Sequence, residues 1–163
     1  MKIKRALLSV WNKDGILELG KFLVDQNIEI LSTGGTKEVL EKAGLDITSI
    51  SFITGSGAVM DGRVKTLHPK IFGGILADRG NPEHIDDLEY IHGLEIDLVV
   101  VNFYPFAKEA AEKKLKLEKA IEFIDIGGPS MLRAAAKNFH SVLSLCDTAL
   151  YSVFMDTFIE TNG

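Results

Sequence analysis

Residues 28–36 of this chain read Ile-Glu-Ile-Leu-Ser-Thr-Gly-Gly-Thr, and this stretch decides the fold class. Its first four residues form a short, mostly apolar run that is typical of a buried strand. The glycine pair then predicts a tight turn, and the apolar residues Val39, Leu40 and Ala43 follow at helical spacing. A strand, a glycine turn and a helix in this order predict a βα unit.

The same alternation continues along the whole chain. Apolar runs predict strands at residues 6–10, 28–31, 47–50, 98–101 and 142–145. Helical spacing predicts a helix between the first two strands, where Ile16, Leu19 and Leu23 recur, and another after the second strand. Further helices are expected over residues 82–91, 107–123 and 150–159, the second with a charged, solvated face that includes Lys108 and Glu112. This pattern predicts an α/β fold with a mostly parallel central sheet flanked by helices.

Composition limits the class of protein. A length of 163 residues with 46% hydrophobic content fits one domain, and a formal charge of −5 argues against a nucleic-acid partner. The apolar run before Trp11 is too short for a signal peptide or a membrane span, so we expect a cytoplasmic protein. The single cysteine, Cys146, excludes an internal disulfide and is expected to be a buried strand thiol rather than a nucleophile. The four histidines are scattered without zinc-binding spacing, so no metal site is expected.

Residues 61–74 read Asp-Gly-Arg-Val-Lys-Thr-Leu-His-Pro-Lys-Ile-Phe-Gly-Gly and concentrate positive charge in an acidic chain. Local basicity of this kind predicts a small anionic ligand. Arg63 and Lys65 can bind or polarise a carbonyl oxygen. For His68, which precedes Pro69, two interpretations stay open: a site residue, or a residue that caps a helix.

The loop at residues 31–36 has the properties of a phosphate site. Glycines let the backbone approach a ligand, hydroxyls donate to its oxygens, and the N–H groups of a helix start face outward. The loop is neither a P-loop nor a dinucleotide fingerprint, and an ordinary βα turn with Thr36 as N-cap explains it equally well. Ser9 and Lys13 lie at the end of the first predicted strand. Because ligands of α/β sheets bind at the carboxyl ends of strands, Lys13 is expected to reach the same anion.

Residues 124–138 read Ile-Asp-Ile-Gly-Gly-Pro-Ser-Met-Leu-Arg-Ala-Ala-Ala-Lys-Asn and predict a tight turn that opens a helix. Asp125 precedes this helix and Lys137 lies near its end. An ionised Asp125 can orient an amide N–H or accept its proton, although the helix dipole alone also explains a carboxylate there. Tyr104 is either a core aromatic residue or a site residue, and its position directly after a strand favours the site.

Four runs, in this order and spacing, resemble the inosine monophosphate (IMP) cyclohydrolase domain of the bifunctional purine-biosynthesis enzymes. They are STGGT (32–36), DGRVKTLHP (61–69), VVNFYPF (100–106) and IDIGGPSMLRAAAKN (124–138). The resemblance implies a methylglyoxal-synthase-like three-layer fold and dehydrative closure of 5-formamidoimidazole-4-carboxamide ribonucleotide to IMP. It also implies a homodimer, no metal or organic cofactor, and a transformylase domain in cis. The chain is then expected to be one cyclohydrolase domain, shortened at its C-terminal end and without the transformylase half.

The resemblance also assigns site residues. The catalytic group that it implies consists of Lys65, Tyr104, Asp125 and Lys137. The residues implied to line the base are Arg63, Thr66, Asn102, Ile126 and Gly127. The phosphate-binding side that it implies consists of Ser9, Lys13, Ser32, Thr33, Gly34, Gly35 and Thr36.

The chain departs from the family pattern at three places. Trp11 stands where the family usually has a serine, Phe72 stands where it usually has a histidine, and a flexible loop at residues 54–58 replaces a Phe-Pro pair. Two other functions are compatible with the fold. A methylglyoxal synthase needs a carboxylate base, and its motifs do not include Ile-Asp-Ile-Gly-Gly-Pro. A regulatory domain that senses a phosphorylated effector would not need the predicted catalytic group.

Overall fold

The computed structural model describes residues 2–107 and 113–163. Five strands form one sheet: β1 (Arg5–Val10), β2 (Glu29–Ser32), β3 (Thr48–Ser49), β4 (Leu98–Asn102) and β5 (Leu143–Leu145). Their order is β3-β2-β1-β4-β5, and every neighbouring pair is parallel. All five predicted strands are present, with ends that differ by single residues. The sheet that we expected to be mostly parallel is wholly parallel in the described part of the chain.

The helices are α1 (Ile16–Asp25), α2 (Gly34–Lys42), α3 (Ile50–Thr54), α4 (Pro69–Leu76), α5 (Pro82–Tyr90), α6 (Leu117–Ala120), α7 (Gly127–Lys137) and α8 (Leu150–Thr161). A 3-10 turn, Ile121–Phe123, lies between α6 and α7. The helices predicted after β1 and β2 are confirmed as α1 and α2. Those predicted over residues 82–91 and 150–159 are confirmed as α5 and α8. None of the described helices is long and apolar enough to cross a membrane.

The predicted helix over residues 107–123 is only partly confirmed in its described part, where α6 and the 3-10 turn cover residues 117–123. Lys114 has a φ of 48°, which interrupts any right-handed helix there. The four-residue α6 and the following 3-10 turn bury none of their side chains, so no apolar stripe exists to stabilise a longer helix. Lys108 and Glu112, assigned to its solvated face, lie outside the described residues.

Helix α4 was expected only as the helix that His68 would cap. His68 is the N-cap of this helix: its Nδ1 accepts a hydrogen bond from the Lys70 N–H at 3.2 Å. Pro69 occupies the first turn, where a missing N–H removes no helical hydrogen bond. Of the two interpretations of His68, the structure supports the cap.

Two hydrophobic layers separate the sheet from the helices on its two sides. Alternation along β1 sends Ala6, Leu8 and Val10 to one face, where α1, α2 and α8 pack. Leu7 points to the other face, where it is buried with side chains from α3, α4 and α7. The predicted three-layer arrangement is therefore confirmed.

Cys146 follows the last residue of β5 and is exposed. The prediction of a buried strand thiol is therefore wrong. β5 lies at the edge of the sheet and ends at Leu145, and Cys146 comes one residue after the pairing has stopped.

Because every strand points the same way, the carboxyl ends of β1, β2 and β4 meet at one edge of the sheet. Leu8 of β1 pairs with Ser32 at the end of β2, and Val10 pairs with Asn102 at the end of β4. The loops that leave these three strands therefore begin side by side.

The stability of this packing can be tested at Gly74 in α4. A Cβ atom added there would lie 2.2 Å from the carbonyl oxygen of Leu94. The segment that contains Leu94 cannot move away easily, because the Ile96 N–H donates to the Gly74 carbonyl at 3.0 Å. We expect Gly74→Ala to lower the free energy of unfolding by about 1–3 kcal/mol, measured by urea denaturation.

Gly73→Ala, one residue earlier in the same helix, is the matched control. A Cβ atom there would meet only side-chain ends, Ile91 at 3.0 Å and Leu88 at 3.3 Å, which can shift. The loss should be clearly smaller than at Gly74. Equal stability of the two variants would contradict this account of the packing.

Candidate active site

A cavity of about 620 Å³ lies at the carboxyl ends of β1, β2 and β4. Most of the predicted site residues line it. They are Ser9, Lys13, Thr33, Gly35, Thr36, Arg63, Lys65, Thr66, Asn102, Tyr104, Asp125, Ile126 and Gly127. Residues to which the sequence analysis gave no role also line it, notably Asp61, Glu122 and Ile124. The structure therefore brings together residues from five separate segments of the sequence.

Three predicted residues do not line this cavity. Ser32 is fully buried, and its hydroxyl donates to the Leu8 carbonyl at 2.8 Å, so it ties β2 to β1. Gly34 begins α2 with a φ of 54°, a conformation that favours glycine, and a Cβ atom there would lie 3.7 Å from Lys65 Nζ. Gly34 is therefore next to the cavity even though it does not line it.

Lys137 is the third of these residues. It is the last residue of α7, whereas Gly127, the first, borders the cavity. Ten residues of helix separate the two by about 15 Å at the usual rise per residue. Lys137 instead borders a shallow groove with Phe72 and Leu76. The described chain thus does not bring Lys137 to Lys65, Tyr104 and Asp125.

Thr36 lines the cavity and hydrogen-bonds α2 to the end of β1. Its buried Oγ1 accepts from the Val10 N–H at 3.1 Å and donates to the Val10 carbonyl at 3.0 Å. The N-cap position of α2 belongs to Thr33, not to Thr36, and the Thr33 side chain makes no capping hydrogen bond. The interpretation of Thr36 as an N-cap is therefore wrong, and the Thr33 hydroxyl is free to face a ligand.

Asn102 holds the loop that leaves β1. Its Oδ1 accepts from the backbone N–H groups of Trp11 and Asn12, each at 2.7 Å, and its Nδ2 donates to the Asn12 carbonyl at 3.0 Å. The side-chain amide is thus occupied by the protein itself. A contact of Asn102 with a base stays a prediction.

Lys13 and Lys65 place two positive charges close together in the cavity. Burial, and then the charge of Lys65, lower the pKa of Lys13 below its ordinary value. The Lys13 ammonium donates to the carbonyls of Val10 and Trp11, but in the described part of the chain neither lysine forms an ion pair. An anion between them would stabilise both charges.

Arg63 has an acidic partner that the sequence did not indicate. Its guanidinium forms a hydrogen-bonded ion pair with Glu122, which raises the pKa of Arg63. The pair joins the loop before Lys65 to the 3-10 turn on the rim of the cavity. Met60 and Asp61 in this loop have φ values of 54°, so its backbone is strained next to the site. No spacing or motif links residues so far apart in sequence, which is why Glu122 was missed.

Asp125 is oriented by the start of α7. Its Oδ1 accepts from the Gly128 N–H at 3.1 Å. A Cβ atom on Gly128 would lie 2.8 Å from Asp125 Oδ2, and one on Gly127 would lie 3.0 Å from Thr66 Oγ1. The glycine pair therefore lets Asp125 and Thr66 approach the helix start closely.

Tyr104 lines the cavity and is about half exposed, so it lies on the ligand side of the sheet and not in the core. Its ring centroid lies 6.2 Å from that of Trp11 and 6.1 Å from that of Phe123. The site therefore contains lysine ammonium groups that can bind anionic oxygens, the Asp125 carboxylate that can accept a proton, and the Tyr104 phenol. Among the described residues, no group of three or more His, Cys, Asp or Glu side chains could hold a metal ion.

Three comparisons with known proteins agree with this geometry. The bifunctional purine biosynthesis protein PurH of Clostridium acetobutylicum is 53% identical over 161 residues, 99% of this chain but 32% of that protein. The PurH protein of Leptospira biflexa is 50% identical over 163 residues, again 32% of its length. The chain thus spans about a third of the length of the curated relatives it matches.

The crystal structure of ForH superposes with a TM-score of 0.84 at 32% identity, covering 98% of this chain and 80% of that one. A family match described as the MGS-like domain spans residues 15–130. These findings confirm the predicted methylglyoxal-synthase-like fold. Because the family match covers most of the chain and the solved structure agrees with it over nearly all residues, the chain belongs to the MGS-like domain family.

Proposed function

We propose that this chain is an IMP cyclohydrolase, which closes 5-formamidoimidazole-4-carboxamide ribonucleotide to IMP with loss of water. The observation that carries the proposal is the single cavity lined by Lys65, Tyr104 and Asp125 together with the loop at residues 33–36. The 53% identity to a protein named for purine biosynthesis supports it.

The substrate phosphate binds between the loop and the two lysines. The Thr33 hydroxyl, the backbone of Gly35 and the start of α2 supply hydrogen-bond donors on one side. Lys13 and Lys65 supply positive charge on the other. Charge-assisted hydrogen bonds of this kind contribute roughly 1.5–3 kcal/mol each, which is enough for the phosphate to dominate affinity.

Ring closure joins two groups of one substrate. The carboxamide nitrogen attacks the formyl carbon, and the formyl oxygen becomes an oxyanion. One proton leaves each of the two nitrogens, the carbon–oxygen bond breaks, and the oxygen departs as water. Because both groups belong to one molecule, holding them in contact supplies much of the acceleration.

The described residues can perform the proton transfers. Asp125, held by the Gly128 N–H, accepts the proton of the attacking amide. Lys65 stabilises the oxyanion, and its ammonium or the Tyr104 hydroxyl gives the departing oxygen one proton and regains one from the formyl nitrogen, while Asp125 returns the amide proton as the second proton of the water. Within one chain the length of α7 separates Lys137 from the cavity, so we assign it no step here, and its catalytic role stays a prediction.

The proposal includes the remaining properties that the resemblance implies: a homodimer, a cytoplasmic setting, and a transformylase domain in the same polypeptide. The word bifunctional in the names of the relatives supports a second activity on a longer chain. This chain, at 32% of the length of the Clostridium acetobutylicum relative, corresponds to one of its parts.

The direct test is an ultraviolet assay of ring closure with the formylated substrate, run beside a colorimetric assay for methylglyoxal with dihydroxyacetone phosphate. We expect purine formation and no methylglyoxal. Methylglyoxal release, or nucleotide binding without turnover, would overturn the proposal in favour of a synthase or a regulatory domain.

Lys65→Ala tests the oxyanion contact. Loss of one preorganised partner of an oxyanion should lower kcat by about a hundred- to a thousandfold, and IMP should bind more weakly because Lys65 also contributes charge at the phosphate. Lys65→Arg keeps the charge but cannot give up a proton at neutral pH, so it recovers activity only if charge alone matters. Lys70→Ala, in the same basic stretch but not on the cavity, is the control and should close the ring at the parental rate. A Lys65→Ala protein as active as this control would remove Lys65 from the mechanism.

The lowered pKa of Lys13 predicts a pH dependence of phosphate binding. A lysine loses its charge as pH rises through its pKa, so affinity should begin to fall below the ordinary lysine value of 10.5. Ribose 5-phosphate is the suitable probe, because it carries no titrating base and its phosphate is already dianionic above about pH 7. Calorimetry between about pH 7.5 and 10 should show weakening binding for the parental chain and constant binding for Lys13→Arg. Parallel pH profiles for the two proteins would rule out Lys13 as the titrating group.

A further inference from the structure

Trp11 presents a large aromatic surface inside the cavity. It is the only tryptophan of the chain, it follows the last residue of β1, and it lines the same cavity as Lys65 and Asp125. Its side chain is not part of either hydrophobic core, and the residue is 40% exposed. Trp11 has no role in the proton transfers of ring closure.

The backbone of Trp11 is held on both sides while its ring stays open. Its N–H donates to Asn102 Oδ1 at 2.7 Å, and its carbonyl accepts from Lys13 Nζ at 3.1 Å. The described residues provide no hydrogen-bond acceptor for the indole N–H. A ring on a fixed backbone loses little freedom when a ligand packs against it, which favours binding.

The neighbouring ring determines how a ligand can meet the indole. The centroids of Trp11 and Tyr104 are 6.2 Å apart and the ring planes are inclined by 57°. A flat ligand held between two rings would need them parallel and about 7 Å apart, twice the contact distance of carbon atoms. The pair is too close and too tilted for that. A flat ligand must therefore stack on one open ring face, with Tyr104 bracing the indole from the side.

We propose that Trp11 is a stacking platform for the heteroaromatic base of the nucleotide and determines specificity for it. The inference rests on the proposed function and names the feature that would separate a base-bearing nucleotide from a phosphorylated sugar. Both ligands carry the phosphate that Lys13 and Lys65 attract, but only the nucleotide has a ring that can pack on the indole. Trp11 thus acts on binding and takes no part in proton transfer.

Because the chain has one tryptophan, its fluorescence reports on this residue alone. Titration of the parental protein with IMP should quench or shift the emission along the same curve as binding measured by calorimetry. Ribose 5-phosphate, at a concentration that saturates the site by calorimetry, should leave the emission nearly unchanged.

Variants give a second, independent readout. Stacking of one base on an aromatic side chain is worth enough that Trp11→Ala should bind IMP about 5- to 150-fold more weakly. Its affinity for ribose 5-phosphate should stay within about twofold, and Trp11→Phe should recover most of the IMP affinity. In the ring-closure assay KM should rise while kcat changes little. Tyr90→Ala removes an aromatic residue that is 85% exposed outside the cavity and should bind both ligands like the parental chain.

The outcomes separate this inference from the proposed function. If the parental chain closes the ring but Trp11→Ala keeps its IMP affinity and KM, the stacking platform is wrong and the cyclohydrolase assignment stands. If Trp11→Ala loses IMP affinity while the parental chain does not close the ring, the platform stands and the assignment falls. Equal losses for IMP and ribose 5-phosphate would show that Trp11 only supports the Lys13 loop, and no binding of IMP by the parental chain would refute both.

Discussion

The structure depends on the parallel pairing of β1 with β2 on one side and β4 on the other. This pairing brings three strand ends to one edge, so that segments separated by dozens of residues in sequence become neighbours. The Thr36 hydroxyl then links the backbone of Val10 to α2, and the Asn102 amide links Trp11 and Asn12 to β4. In the loops, these side chains hydrogen-bond to the backbone as neighbouring strands do within the sheet. They satisfy backbone groups where the regular pairing ends.

The fold could be predicted because each strand and helix has its own local signal. The alternation of β1 and the helical spacing of Ile16, Leu19 and Leu23 are properties of short segments, and the buried layers follow them directly. The prediction of one long helix was only partly right over residues 113–123, where helix-forming residues are abundant but no apolar face is buried. It did not place α4, whose buried residues Ile71 and Ile75 lie one turn apart but enclose a glycine pair, a residue type that disfavours a helix interior.

The candidate site was less accessible to sequence reasoning. Motifs indicated Lys65, Tyr104 and Asp125, and the cavity contains all three. The same motifs also contained Ser32 and Thr36, whose hydroxyls donate to the backbone of β1. The sequence cannot distinguish a hydroxyl that contacts a phosphate from one that holds the phosphate loop in place. The partner of Arg63 depends on a three-dimensional meeting with Glu122 that no local pattern encodes.

The exposure of Cys146 makes the chain suited to optical measurements without added or removed reporter residues. The chain has one cysteine for attaching a dye and one tryptophan as an intrinsic donor. They follow the carboxyl ends of β5 and β1, two strands separated only by β4, which at the usual spacing of strands is about 10 Å. The efficiency of energy transfer from Trp11 to a short-range acceptor attached to Cys146 would therefore report the distance across β1, β4 and β5. It would do so during unfolding and refolding, in a protein whose sequence is otherwise unaltered.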